Sequence, residues 1–120
     1  MTGRVENRHV LVPITFRLPG QPDLTIEIVV DTGFTEDLTL PPPAIAAMHL
    51  PFAYDLTVNL ANDADVEVPV HYARILWQGN EQDVRIFATG RRPLLGTALL
   101  DGNELLVQFA ENGLVTINGL

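Results

Sequence analysis

Two runs of alternating apolar residues place the strongest constraint on the fold of this chain. From residue 9 to residue 18 every second residue is apolar, and residues 24–30 repeat the pattern. Residues 19–23 between them, Pro-Gly-Gln-Pro-Asp, are of the types that turn a chain sharply. Since successive side chains of a strand point to opposite faces, the two runs predict half-buried strands joined as a hairpin.

The rest of the chain also predicts mainly short strands. Further strands are predicted at residues 38–40, 54–60, 65–77, 83–88, 105–109 and 114–117. A short helix is predicted over residues 44–50, after a run of three prolines, and the Asn112-Gly113 pair predicts a hairpin turn. The apolar phase of the long strand shifts near Ala73, which predicts a β-bulge there. These patterns indicate an all-β fold with one or two short helices, closed or folded over as a barrel.

The length and charge of the chain set its domain count and its partners. With 120 residues and no internal repeat, we expect one domain over residues 1–120, with residues 1–8 as an N-terminal arm. The 15 acidic and 7 basic residues give a formal net charge of −8, which disfavours nucleic acid and anionic membranes as partners. Neither a membrane-spanning run nor an apolar signal stretch is visible, so the expected location is the cytoplasm.

The residue types that are missing restrict the chemistry. The sequence contains no Cys, no Ser and no Lys, which excludes thiolate nucleophiles, cysteine zinc sites, serine triads and lysine Schiff bases. His9, His49 and His71 lie far apart and without metal-ligand spacing. Carboxylates are therefore left as the main chemical resource.

One carboxylate stands out by its position. Asp31 follows the apolar run of residues 28–30 and precedes Thr32 and Gly33, so an acid lies where a strand ends and the chain must bend. Gly33 permits a close backbone approach, and the Thr32 hydroxyl can tie one loop to another. These three residues alone also fit an ordinary turn capped by the Asp31 carboxylate.

A longer pattern carries a family resemblance. Residues 28–34, Ile-Val-Val-Asp-Thr-Gly-Phe, followed by Leu-Thr-Leu-Pro at residues 38–41, resemble the active-site loop of retropepsin-like aspartic proteases of the prokaryotic single-domain kind. Leu94, Leu95 and Gly96 resemble the second signature of that family, which leads into a short helix. The hairpin expected at about residues 58–68 lies where the family has its flap. The resemblance spans about residues 10–109.

The resemblance implies a function and its residues. A chain with one Asp-Thr-Gly supplies half of a catalytic pair, so the resemblance implies a homodimeric aspartic endopeptidase in which two Asp31 carboxylates share a proton and activate water. Thr32 and Gly33 would support the active-site loop, and the resemblance implies that no metal and no cofactor is needed. The substrate would be a peptide, and the cleft residues carried over are Phe34, Leu60, Ala61, Asn62, Asp63 and Ala64.

Two departures from the family pattern leave alternatives open. Phe34 stands where many members have Ser or Ala, and it is expected either to reshape a substrate pocket or to pack as a core aromatic under the loop. Asp63 and Asp65 make the predicted hairpin tip acidic, which would disfavour acidic peptides.

The alternative functions are a catalytically silent dimer acting as a peptide-binding or assembly module, and a barrel that binds a small ligand with Asp31 as a turn residue. For the adjacent pair Arg91 and Arg92 we expect surface ion pairs or a contact with a neighbouring subunit.

Overall fold

The computed structural model describes residues 1–59 and 61–120, and within those ranges it contains ten strands and two short helices. The strands are β1 Thr2–Glu6, β2 His9–Arg17, β3 Leu24–Val30, β4 Leu38–Leu40, β5 Phe52–Asn59, β6 Asp65–Trp77, β7 Asn80–Ala88, β8 Leu94–Leu95, β9 Asn103–Val107 and β10 Leu114–Gly119. The helices are α1 Pro42–Met48 and α2 Thr97–Leu100. The predicted all-β class with short helices is therefore confirmed.

The strands form one sheet that closes on itself. Its order is β5-β6-β7-β4-β8-β3-β2-β1-β10-β9, and β6 also pairs with β2, residues 74–76 against residues 15–17. This extra pairing joins β2, β3, β8, β4, β7 and β6 into a ring. The ring is the barrel that the strand spacing predicted, because pairing the first and last of these six strands closes them on each other.

The core lies inside this ring and follows the alternation of the sequence. Val12, Ile14 and Phe16 of β2 are fully buried, whereas Pro13 and Arg17 between and beyond them are exposed. Fully buried side chains also come from the other ring strands, among them Ile28, Leu38, Leu40, Ile75, Ile86 and Leu95. Burial of each such side chain stabilises the fold by about 1.5–3 kcal/mol before the loss of conformational entropy is counted.

The long strand β6 differs from the prediction in one respect. Its pairing with β7 runs without interruption from Val70 to Trp77, so the bulge predicted near Ala73 is wrong. The register shift lies instead in β5, between Phe52 and Tyr54. The apolar phase of β6 changes because the strand leaves β5 after His71 and then pairs with β2.

Both ends of the chain belong to the sheet. The segment predicted as an N-terminal arm contains β1, which pairs with β2 on one side and with β10 on the other. The C-terminal hairpin of β9 and β10 is confirmed, and Asn112 in its loop has a left-handed φ of 62°. Strand β9 ends the sheet order at this side, as β5 does at the other.

Candidate active site

The loop of residues 31–37 connects two strands that flank β8. Strand β8 runs parallel to β3, with Val30 opposite Leu95, and antiparallel to β4, with Leu38 opposite the same Leu95. The loop therefore leaves one side of β8 and returns on its other side. This arrangement brings the two sequence signatures, the Asp-Thr-Gly loop and Leu94-Leu95-Gly96, together.

Asp31 is fixed by its backbone and by its own carboxylate. Its N–H donates to the Leu95 carbonyl at 2.9 Å, and its carbonyl accepts the Phe34 N–H at 3.1 Å. The carboxylate oxygen Oδ1 accepts the Gly33 N–H at 2.9 Å. Asp31 is half-buried, while Thr32 and Gly33 are exposed. The site thus presents a carboxylate held in one orientation at the surface, with a local geometry that a capped turn shares.

Phe34 packs against the barrel behind this loop. Its ring meets the buried Phe87 edge to face, with the centroids 5.8 Å apart and the planes at 82°. Its carbonyl accepts the Thr97 N–H at 2.8 Å, which ties the loop to the start of α2. The aromatic contact corresponds to the packing role that was one of the two expectations for Phe34.

Gly96 lies where the loop and the β8–α2 corner come closest. Its N–H donates to the Asp37 carbonyl at 2.9 Å. A Cβ at this position would lie 2.6 Å from Cδ2 of Phe34 and 2.7 Å from the Phe34 carbonyl oxygen. Only a glycine fits here without displacing the loop that carries Asp31.

A polar network that sequence reasoning missed joins this loop to the β5–β6 hairpin. Asp37 Oδ2 accepts the backbone N–H of Arg85 at 3.0 Å, and the Arg85 guanidinium donates to the Tyr54 hydroxyl at 3.2 Å and lies 3.6 Å from Glu36. The hydrogen bond to Tyr54 is the main cause that raises the pKa of Arg85 above its usual value. These residues are far apart in sequence. The pairing of β4 with β7 brings Asp37 to Arg85, and the pairing of β6 with both β5 and β7 brings Tyr54 to Arg85.

The predicted flap residues lie at the far end of that hairpin. Its two strands pair from Phe52 opposite His71 to Asn59 opposite Asp65, so the hairpin extends beyond the predicted bounds of 58–68. At the tip, Asn62 Oδ1 accepts the Ala64 N–H at 3.1 Å, and Ala61 and Asp63 are exposed, Asp63 with a φ of 62°. Leu60, predicted in the cleft, lies outside the described residues.

The described contacts divide the predicted site residues into two groups. The residues of the two signatures meet around Leu95 and Gly96. No hydrogen bond among the described residues joins the hairpin tip to the Asp31 loop.

The surface of the described part of the chain includes two cavities of different size. The larger, about 720 Å³, lies between the end of β2, the end of α1 and the outer side of β6 and β7, away from Asp31. The smaller, about 310 Å³, is lined by Val29 and Pro93 beside the Asp31 loop. Within residues 1–59 and 61–120, no cluster of three or more His, Asp or Glu is placed to hold a metal ion. No helix in those residues is long and apolar enough to cross a membrane.

Comparison with known proteins identifies the architecture. No protein-family model and no curated protein sequence matches the chain. Among solved structures, it is similar to a retropepsin-like aspartic protease from Rickettsia conorii, with a TM-score of 0.58 and 17% sequence identity, over 100% of this chain and 90% of that one. The chain has the retropepsin-like fold. The resemblance read from Asp31-Thr32-Gly33 and from Leu94-Leu95-Gly96 is therefore confirmed for the architecture.

Proposed function

We propose that the protein is a homodimeric aspartic endopeptidase. The observation that carries the proposal is the position of Asp31: a half-buried carboxylate at the end of β3, held by Leu95 and Gly33, in a retropepsin-like fold. One chain supplies one such carboxylate. A second copy is needed because general acid and general base are two groups with different protonation states.

In the proposed reaction the two Asp31 carboxyls share one proton. The ionised member takes a proton from a water molecule, whose oxygen attacks the carbonyl carbon of the peptide bond. The protonated member donates a hydrogen bond to the carbonyl oxygen as negative charge develops there. Transfer of a proton to the amide nitrogen then lets the C–N bond break. The reaction products are a carboxylic acid and an amine.

The surface supports self-association at the C-terminal end. Four of the eight exposed large apolar residues of the described chain lie there, namely Leu120 at 92%, Phe109 at 72%, Leu106 at 57% and Leu114 at 48% exposure. They lie on β9 or close to it in the chain, and β9 is the last strand of the sheet order in the described residues, so one of its edges is unpaired there. An apolar surface beside an open strand edge is a site at which a second chain adds. This hairpin follows α2 and β8 directly, so a second copy there lies near the Asp31 loop.

Substrate and support residues follow from the same proposal. Thr32 and Gly33 support the loop, an extended peptide binds between the Asp31 loop and the hairpin tip at Ala61-Asn62-Asp63-Ala64, and the hairpin closes over it.

The proposal is tested by incubating the protein with a mixed peptide library and identifying the cleaved bonds. A tight-binding transition-state mimic of the pepstatin type should inhibit cleavage and should bind only the dimer. A protein of monomeric mass that cleaves no peptide would overturn the proposal and leave a peptide-binding or assembly module as the better description.

A further inference from the structure

Three of the seven arginines make no ion pair in the part of the chain that the structure describes, although the chain has 15 acidic residues. They are Arg8, Arg91 and Arg92. The other four each contact at least one carboxylate. The unpaired ones lie near one another, because Arg92 Nη1 donates to His9 Nε2 at 3.2 Å and Arg8 precedes His9 in the chain. A local excess of positive charge thus exists on a protein of net negative charge.

This basic group borders the smaller cavity. Arg92 and His9 line it together with Val29, Leu11 and Pro93. Its volume of about 310 Å³ is at the lower end of the range of ligand pockets, about 300–1,000 Å³. The cavity therefore has an apolar wall and a guanidinium at its rim.

The cavity is aligned with Asp31 along β3. The N–H of Val29 donates to the Pro93 carbonyl at 3.3 Å, and the N–H of Asp31 donates to the Leu95 carbonyl at 2.9 Å. Both residues bond to the same neighbouring segment, so their side chains lie on one face of the strand. Two residues of a strand span about 6.5 Å, which is also the span of two residues in an extended peptide.

The acidic residues around the cavity have partners other than Arg92. Glu6 and Glu27 also line it, and both contact Arg4. Glu111 accepts the backbone N–H of Asn7 at 3.1 Å. The Arg92 guanidinium, by contrast, has an imidazole nitrogen and no carboxylate as its described partner. It is the group best placed to bind an added anion.

We propose that this cavity is a substrate subsite in which Arg92 binds the carboxylate of an acidic side chain, within about two residues of the cleaved bond. The inference rests on the proposed peptidase function. A guanidinium binds a carboxylate through two parallel hydrogen bonds, a bidentate geometry that favours Glu or Asp over Gln or Asn. The acidic hairpin tip repels acidic side chains, so the preference is confined to the position that faces Arg92.

The test uses paired peptide libraries that differ only in Glu or Gln at one fixed position, scanned along the peptide. The wild-type protein should show a kcat/KM about tenfold higher for Glu at one position near the cleaved bond, the size of one charge-assisted hydrogen bond. Arg92→Gln should bring this ratio close to one. Arg74→Gln, which removes the same charge from an ion-paired arginine on β6, should retain the ratio.

A second readout separates this inference from the proposed function. The same Glu and Gln libraries are passed over immobilised Asp31→Asn protein, and the retained peptides are sequenced. Glu enrichment that disappears in Asp31→Asn/Arg92→Gln supports the subsite. This holds even if the wild-type protein cleaves nothing, a result that would contradict only the peptidase proposal. Equal retention of both libraries, or a Glu preference that survives Arg92→Gln, overturns the subsite.

Discussion

The backbone N–H of Gly96 donates to the carbonyl of Asp37 at 2.9 Å, and this bond closes the loop that begins at Asp31. Gly96 also precedes α2, and a Cβ on it would press on Phe34 at 2.6 Å. Strand end, loop and helix start are therefore fixed by one close backbone contact. The geometry of the candidate site depends on a residue that has no side chain.

Gly96→Val should destabilise the fold. The added atoms overlap backbone and the Phe34 ring, and overpacking of this kind costs typically about 1–3 kcal/mol. The measurement is urea unfolding followed by tryptophan fluorescence, since Trp77 is buried. Gly119→Val is the matched control, because nothing lies within 4 Å of a Cβ there. Equal free energies of unfolding for the two variants would contradict the close contact at Gly96.

Asp31→Asn should abolish peptide cleavage and leave the fold intact. The amide oxygen of Asn can still accept the Gly33 N–H, whereas the base and the shared proton are lost. We expect a decrease in kcat of at least about a hundredfold, since general acid–base catalysis alone contributes about 10²–10⁴-fold. The free energy of unfolding is measured on the same samples. Wild-type turnover in the variant would assign any cleavage to another group or to a contaminant.

Phe109→Asp should convert the proposed dimer into a monomer. The substitution places a charge in the exposed apolar surface beside β9, where a second copy is proposed to bind. Phe52→Asp is the control. Phe52 is also an exposed aromatic residue, but it lies on β5, at the opposite end of the sheet. Solution mass is measured for both by light scattering. A dimeric Phe109→Asp protein would exclude this surface as the interface.

Arg85→Leu should loosen the β5–β6 hairpin relative to the Asp31 loop. The variant removes the hydrogen bond to Tyr54 and the ion pair with Glu36. Because these groups are partly exposed, the expected loss of stability is small, about 1 kcal/mol or less. Amide hydrogen exchange should accelerate in β5 while the ring strand β2 keeps its protection. Tyr54→Phe should reproduce part of the effect, and unchanged exchange in both variants would show that the network does not restrain the hairpin.

The elements that the sequence predicted well are those with a regular local period. Strands β2, β3 and β6 follow the alternation of their apolar residues, and Asp31 was found because it interrupts such a run. The sequence predicts a bulge at Ala73, whereas the register shift lies in β5, because a change of phase does not reveal whether a strand bends or changes its partner.

The contacts that the sequence could not reveal are those made by topology. Asp37 and Arg85 are 48 positions apart, and His9 and Arg92 are 83 positions apart. No local pattern links either pair. Arg92 was expected either to form a surface ion pair or to contact a subunit, and only the structure sets it beside a cavity with no carboxylate partner among the described residues.

The pH dependence of cleavage should be a bell with an acidic optimum, because the rate is highest where the two Asp31 carboxyls together carry one proton. Arg85 adds no limb to this profile, because the hydrogen bond to Tyr54 raises its pKa above the already high value of the unfolded chain. Its stabilising charge is fully present below the unfolded pKa and is lost only as the pH rises through the folded pKa. The proposed dimer carries twice the formal charge of −8, and this negative field disfavours the second ionisation. The upper limb should therefore lie at higher pH in low salt and move down as salt screens the field. The measurement is a pH–rate profile with an uncharged peptide at two ionic strengths, for the wild type and for Asp63→Asn/Asp65→Asn. The movement of the upper limb with salt should be smaller in the variant. A profile with no upper limb would contradict a shared proton between two carboxylates, and a limb that salt does not move would contradict the effect of the negative field.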